Sequence, residues 1–117
     1  MSDRYDEELR ITKGGTLSFL HCPSCRGDNL HQEEVTAFWR QEDGEQGLKV
    51  TSKFSPFCEP GNPTSSISTE LEGNPSSRRD GLRVRFNCET CQEIPCLIIS
   101  QHKGSTFIHW EVPQEHQ

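Results

Sequence analysis

Residues 22–25 read CPSC and residues 88–91 read CETC, the same cysteine spacing met twice, 62 residues apart, in a chain of 117. A C-x-x-C turn offers two thiolates to one ion without backbone strain, and Zn²⁺ takes four sulfur ligands at about 2.3 Å in a tetrahedron. One such pair would also suit a redox dithiol, but two pairs complete a coordination shell. The spacing therefore predicts one structural Zn²⁺ per chain, held by Cys22, Cys25, Cys88 and Cys91. The competing reading, two separate dithiols, leaves four oxidisable thiols in a chain with little apolar cover.

Composition says why a metal is needed. Only 30% of the residues are hydrophobic and the mean hydropathy is −0.79, so apolar burial has little with which to offset the entropy of ordering the chain. The length fits one domain. No apolar run approaches the roughly 18 residues of a membrane span, and the opening MSDRYDEELR is too charged for the core of a signal peptide. These features predict a cytoplasmic protein with no membrane partner, and in a reducing compartment paired C-x-x-C motifs hold metal rather than disulfides. The formal charge is −6, and four thiolates around a divalent ion add about −2 more. Such a charge opposes non-specific binding to nucleic acid, though a local basic face is compatible with it.

Alternation and punctuation predict a mainly β fold: a zinc ribbon elaborated with β-hairpins and a long Pro/Ser-rich loop. Residues 1–16, acidic and short of large apolar groups, read as a mobile lead-in; 17–112 as one ribbon-type domain; 113–117 as a tail. Leu17 to His21 reads as a short strand entering the first cysteine turn, with Gly27 supplying a permissive backbone just after it. EEVTAFWR and the alternating run from Leu48 to Phe54 flank the polar turn QEDGEQG, which makes a hairpin. From 55 to 77 the composition turns to Pro, Ser, Thr, Asn and Gly, and Pro56, Pro60, Pro63 and Pro75 oppose regular structure, so a long loop is expected, with partial order around Ile67 to Leu71. GLRVRF then alternates cleanly into Cys88, and IPCLIIS and STFIHWEV close a second hairpin around QHKG.

Outside the four ligands, Cys96 in PCLII reads as a small buried hydrophobe, whereas Cys58 in the proline-rich loop fits either an exposed thiol or a packed one. His21 and His31 bracket the first turn, where the outer shell of the metal is one reading and a solvated or hydrogen-bonded structural role the favoured one. The sequence brings together no nucleophile, base and orienting acid, and no glycine-rich phosphate cradle, so neither an enzyme nor a small-molecule substrate is expected. SSRRDGLRVRF places Arg78, Arg79, Arg83 and Arg85 within eight residues, a third of all Lys and Arg. They read either as solvated strand charges or, with Lys103 from the last hairpin, as a face for an anion or a partner.

NPSSRRDGLRVRFNCETC, LIISQHKGSTFIHWE and HCPSC together resemble a group of small zinc-ribbon proteins of bacteria and their phages, over roughly Phe19 to Glu111. The paired cysteines are shared by many unrelated ribbons; the arginine block and the QHKG turn are more specific. The resemblance implies a β-rich ribbon and metal ligation by the same four cysteines, and it brings no activity with it. The functional expectation is a non-enzymatic, zinc-stabilised module that binds a protein partner; the alternative is a nucleic-acid-binding ribbon using the Arg78–Arg85 face.

Overall fold

The computed structural model describes residues 4–53 and 64–112. Cys58 and the start of the proline-rich loop lie outside them, as does the C-terminal tail. The described residues form nine strands and no helix, in two antiparallel sheets. A three-stranded sheet contains β1 (Arg4–Asp6), β2 (Ile11–Lys13) and β3 (Ser18–Leu20) in sequence order. The larger sheet contains β4 (Leu30–Trp39), β5 (Leu48–Lys53), β6 (Thr64–Ser68), β7 (Gly81–Cys88), β8 (Cys96–His102) and β9 (Ser105–Glu111), in the order β6-β5-β4-β7-β8-β9. The mainly β expectation is met. No helix of the described residues is long and apolar enough to cross a membrane.

Both expected hairpins are present. In β4–β5, Trp39 pairs with Leu48, Asp43 takes the left-handed conformation at φ 61°, and the Gly44 N–H donates to the Gln41 carbonyl at 2.9 Å. In β8–β9, His102 pairs with Ser105, which leaves a two-residue turn with Lys103 at φ 56°. A left-handed residue in a tight turn matches the right-handed twist of the strands it joins.

Two segments hold more regular structure than composition indicated. Within the expected lead-in, β1 pairs with β2, and β2 pairs in turn with β3. Their supports come from elsewhere in the chain: the Trp110 indole N–H donates to the Leu9 carbonyl at 2.7 Å, and the Arg26 guanidinium lies 3.6 Å over the Tyr5 ring. A local turn helps, because the Asp6 carboxylate accepts from the N–H groups of Leu9 and Glu8; the Leu9 bond, opposed by slight desolvation, holds the carboxyl below its ordinary pKa. Within the expected loop, β6 pairs along β5 from Lys49↔Ser68 to Lys53↔Thr64. Its serines carry no strand signal of their own, so the pairing depends on the edge that β5 presents.

The two faces of the large sheet differ in kind. One row of opposed residues crosses all six strands: Ile67, Val50, Ala37, Leu82, Ile99 and Ile108. The adjacent row reverses the chemistry and reads Ser66, Thr51, Thr36, Arg83, Ile98 and His109. Residues directly opposite in a ladder share a face and neighbours along a strand do not, so these rows lie on opposite sides of the sheet. Each side is covered in part: on the first, Phe86 and Leu97 are buried beside Trp110, whose indole reaches the three-stranded sheet, and on the second a chain segment lies over Phe38. Phe38 is 1% exposed there, 3.8 Å from the position a Cβ on Gly73 would take, and Ile98 is fully buried. The covering segment is fastened by Ser76, whose hydroxyl donates to the Gln101 carbonyl at 2.6 Å. Gly81 lets it approach, since a Cβ there would lie 2.3 Å from Asn74 Oδ1 and 2.7 Å from Pro75 Cδ.

Apart from cysteines and Pro95, the buried apolar side chains of the described residues are Phe38, Phe86, Leu97 and Ile98. In a core this small each side chain matters. Replacing Phe38 by Ala is expected to cost about 3–5 kcal/mol in urea unfolding, whereas Phe107→Ala, at a side chain 51% exposed, costs less than about 1 kcal/mol. Similar costs for the two would contradict the packing described.

Candidate metal centre

The two C-x-x-C turns are built alike. In the first, the Arg26 N–H donates to the Cys22 carbonyl at 2.7 Å and the Cys22 N–H to the Gly27 carbonyl at 2.7 Å. In the second, the Gln92 N–H donates to the Cys88 carbonyl at 2.8 Å and the Cys88 N–H to the Glu93 carbonyl at 3.1 Å. The residue after each pair takes the left-handed conformation, Arg26 at φ 67° and Gln92 at φ 63°. The permissive backbone expected of Gly27 is therefore supplied one residue earlier, by an arginine. What Gly27 provides is room: a Cβ there would lie 3.3 Å from both Cys25 Sγ and Thr90 Oγ1, where the turns meet.

The first turn links β3 to β4 and the second links β7 to β8. They are brought face to face because β4 pairs with β7 down to Leu30↔Cys88, with a bulge between Gln32 and Glu34, and the Glu89 N–H continues the contact to the Asn29 carbonyl at 3.1 Å. All four sulfur atoms then lie within 4.8 Å of one another. Cys22 Sγ is 3.7 Å from Cys91 Sγ, and Cys25 Sγ is 3.6 Å from Cys88 Sγ. The edge of a tetrahedron with metal–sulfur bonds of about 2.3 Å is about 3.8 Å. The donor set thus fits a tetrahedral ion soft enough to prefer sulfur. All four sequence-predicted ligands are in the cluster, with the first cysteine of each turn fully buried and the second nearer the surface.

Backbone donors surround the sulfurs. The Ser24 N–H points to Cys22 Sγ and the Gly27 N–H to Cys25 Sγ, each at 3.4 Å. Burial raises Cys22 above an ordinary thiol pKa, against the N–H groups of Cys25 and Ser24. Burial also disfavours the thiolate of Cys88, but the N–H groups of Cys91 and Thr90, with the neighbouring thiols, outweigh it and hold Cys88 at about 7. Cys91 is pushed up to about 12, by burial and then by the neighbouring thiols. The opposed shifts of Cys88 and Cys91 mean that ionising the whole cluster needs a cation at the centre.

His21 serves the first turn without being a ligand. The Arg26 carbonyl can only accept, so His21 Nδ1, 3.0 Å away, carries the proton, and Nε2 meets the Thr12 hydroxyl at 2.6 Å. The ring ties β2 to the residue that closes the turn. His31, exposed, pairs with Glu89 across the junction of the two turns. Cys96 is buried, with its pKa raised chiefly by that burial; it packs as an apolar residue, as expected.

The four arginines do not form one free basic patch. Arg78 makes a forked pair with Asp43, Nε to Oδ1 at 2.8 Å and a terminal nitrogen to Oδ2 at 2.7 Å, while the Asp43 N–H donates to the Arg78 carbonyl. Arg79 pairs with Glu42, Arg83 with Glu111 at 3.2 Å, and Arg85 lies 3.4 Å from both Glu33 and Glu34. Hydrogen bonding from Arg78 holds the Asp43 carboxyl below its ordinary pKa, so this tie is present above the ordinary carboxylate range and is lost as pH falls through the depressed value. Lys103 is exposed at the β8–β9 turn and makes no ion pair among the described residues. The acidic partners were visible in the sequence, but their pairing depends on a fold that places Glu42 and Asp43 beside residues 78 and 79.

No known family model, curated protein or solved structure matches the chain.

The arrangement predicts one divalent ion per chain by native mass spectrometry. Cys22→Ser or Cys88→Ser should abolish it and unfold the chain, while Cys96→Ala keeps it. Acidification weakens binding, because protons compete for every thiolate and below about 7 even Cys88 regains its own. Affinity that is independent of pH, or metal retained by Cys88→Ser, would contradict the assignment.

Proposed function

We propose that this chain is a non-enzymatic, zinc-stabilised protein-interaction module. The observation that supports it most is the uncharged side of the large sheet. Outside the bulge at Glu33, the charged residues from Val35 onward in β4 to β9, such as Lys49, Arg83, Arg85 and Glu111, face the other side, as does Glu34. A large apolar surface on a chain that is 26% charged marks a place where another molecule sits. Zn²⁺ is the ion proposed, because four thiolates at the spacing of a tetrahedral edge are its commonest structural shell. Four protein ligands leave no position for water or substrate, which favours a structural role over catalysis.

The module belongs in a reducing compartment such as the cytoplasm, where free thiolates persist. The resemblance of the arginine block and the QHKG turn to bacterial and phage ribbons agrees with this reading. Nucleic-acid binding has weaker support, since Arg78, Arg79, Arg83 and Arg85 each have a carboxylate partner that phosphate would have to displace.

Titration with random duplex DNA separates the two. The interaction reading predicts no detectable binding at about 150 mM salt. Binding in the micromolar range, with a log–log salt slope near about −3 to −4 and loss in Arg83→Glu/Arg85→Glu, would overturn it in favour of phosphate contacts. Zinc content of one per chain, with cobalt substitution giving the thiolate charge-transfer bands of a tetrahedral site, tests the choice of ion.

A further inference from the structure

We infer that the uncharged side of the six-stranded sheet packs against the same side of a second copy of this chain, as a two-fold sheet-on-sheet dimer. The inference rests on the reading of this surface as a protein-binding one and names its occupant.

The surface is wide and continuous. The row from Ile67 to Ile108 runs from one edge strand to the other, and Trp39 and Leu48 pair beside it. Ile67 is 73% exposed, Trp39 51%, Leu48 41% and Ile108 40%. The three-stranded sheet meets this same side through Trp110 and Leu9, where Phe86 and Leu97 are buried, so the open part is the row from Ile67 to Ile108 and the Trp39–Leu48 pair beyond it. With the half-buried residues between them, these side chains leave on the order of 600 Å² per copy open, at the top of the range for one patch on an ordinary monomer. Two copies would together bury about 1,200 Å², the lower bound for a specific, stable interface.

Charge favours a copy over a foreign partner. An interface that recognises a different protein carries charged groups that select it. This face has none on its strands, and an isologous contact needs none, because an apolar surface can complement itself under a two-fold axis. The net charge of −6 opposes self-association, yet the strand charges named above point away from the contact. Across a sandwich, whose sheets lie about 10 Å apart, that places them beyond a Debye length of about 8 Å. Relief is also present on both sides of the contact: a hollow of about 230 Å³ is lined by Trp39, Leu82, Ile99, Gln101 and Asp80, whose carboxylate accepts from the Arg40 N–H at 2.7 Å, and Ile67 projects from the same face. Side chains projecting from one copy fill the hollow of the other, the arrangement by which sandwich cores interlock.

The test is the mass in solution of the full zinc-loaded chain, by sedimentation equilibrium up to about 100 µM. The expected mass is twice 13.3 kDa. Ile67→Glu and Ile108→Glu, at exposed edge positions where the fold and metal content are expected to survive, should each weaken the dimer at least about tenfold. Ser66→Glu, on the same edge strand but the opposite face, should leave it unchanged. A dimer equally insensitive to Ile67→Glu and Ser66→Glu overturns the inference, because the contact then lies elsewhere. A monomer overturns it too, and a hydrophobic dye separates the causes. Strong dye binding, lost in Ile67→Glu, leaves the interaction reading standing with a different occupant. No dye binding means the face is already covered within the chain, and both readings fail.

Discussion

Four sulfur atoms within 4.8 Å of one another, drawn from two turns far apart in sequence, are the point on which this structure turns. Ionising all four without a cation is unfavourable, as the opposed shifts of Cys88 and Cys91 indicate. A divalent ion reverses this, and its binding energy becomes folding energy, on the order of 10–16 kcal/mol for structural zinc. Against that stand, among the described residues, four buried apolar side chains besides cysteines and Pro95, worth about 2–3 kcal/mol each. An ion held there would contribute as much as the core proper, in a chain whose composition could not support a larger one.

The centre also fixes how the two sheets relate. Its first turn emerges from β3 of the small sheet and its second from β7 of the large one, so the cluster joins sheets that otherwise meet through Trp110 and Leu9. His21 reinforces the same junction by linking Thr12 on β2 to the carbonyl of Arg26. At the other end of the large sheet, ion pairs take over, with Arg78 and Arg79 holding the β4–β5 turn against the segment that covers Phe38. Charge thus does structural work on one side of the sheet and is kept off the other.

The ligands and both hairpins were legible in the sequence because each is specified locally: a fixed cysteine spacing, a two-residue period, a turn rich in Gly and Asp. The small sheet was not, since β1 and β2 depend on Trp110 and Arg26, which local patterning cannot bring near. β6 was legible only as partial order around Ile67, its strand character obscured by its serines and by the prolines that precede it. The alternation of each strand could be read singly, but the uncharged face exists only once register sets Ala37 against Leu82 and Leu82 against Ile99. The arginine block shows the reverse limit: a cluster in sequence that the fold divides among separate carboxylates.

The most direct test of the metal as organiser is amide hydrogen exchange of the loaded protein before and after a strong chelator. The amides of Arg26 and Gln92, which close the two turns, should be protected with metal and exchange freely without it, and protection in β4 and β7 should fall with them. Unchanged protection of β4 and β7 after the metal is removed would show that the sheet stands without its centre, and would contradict the account.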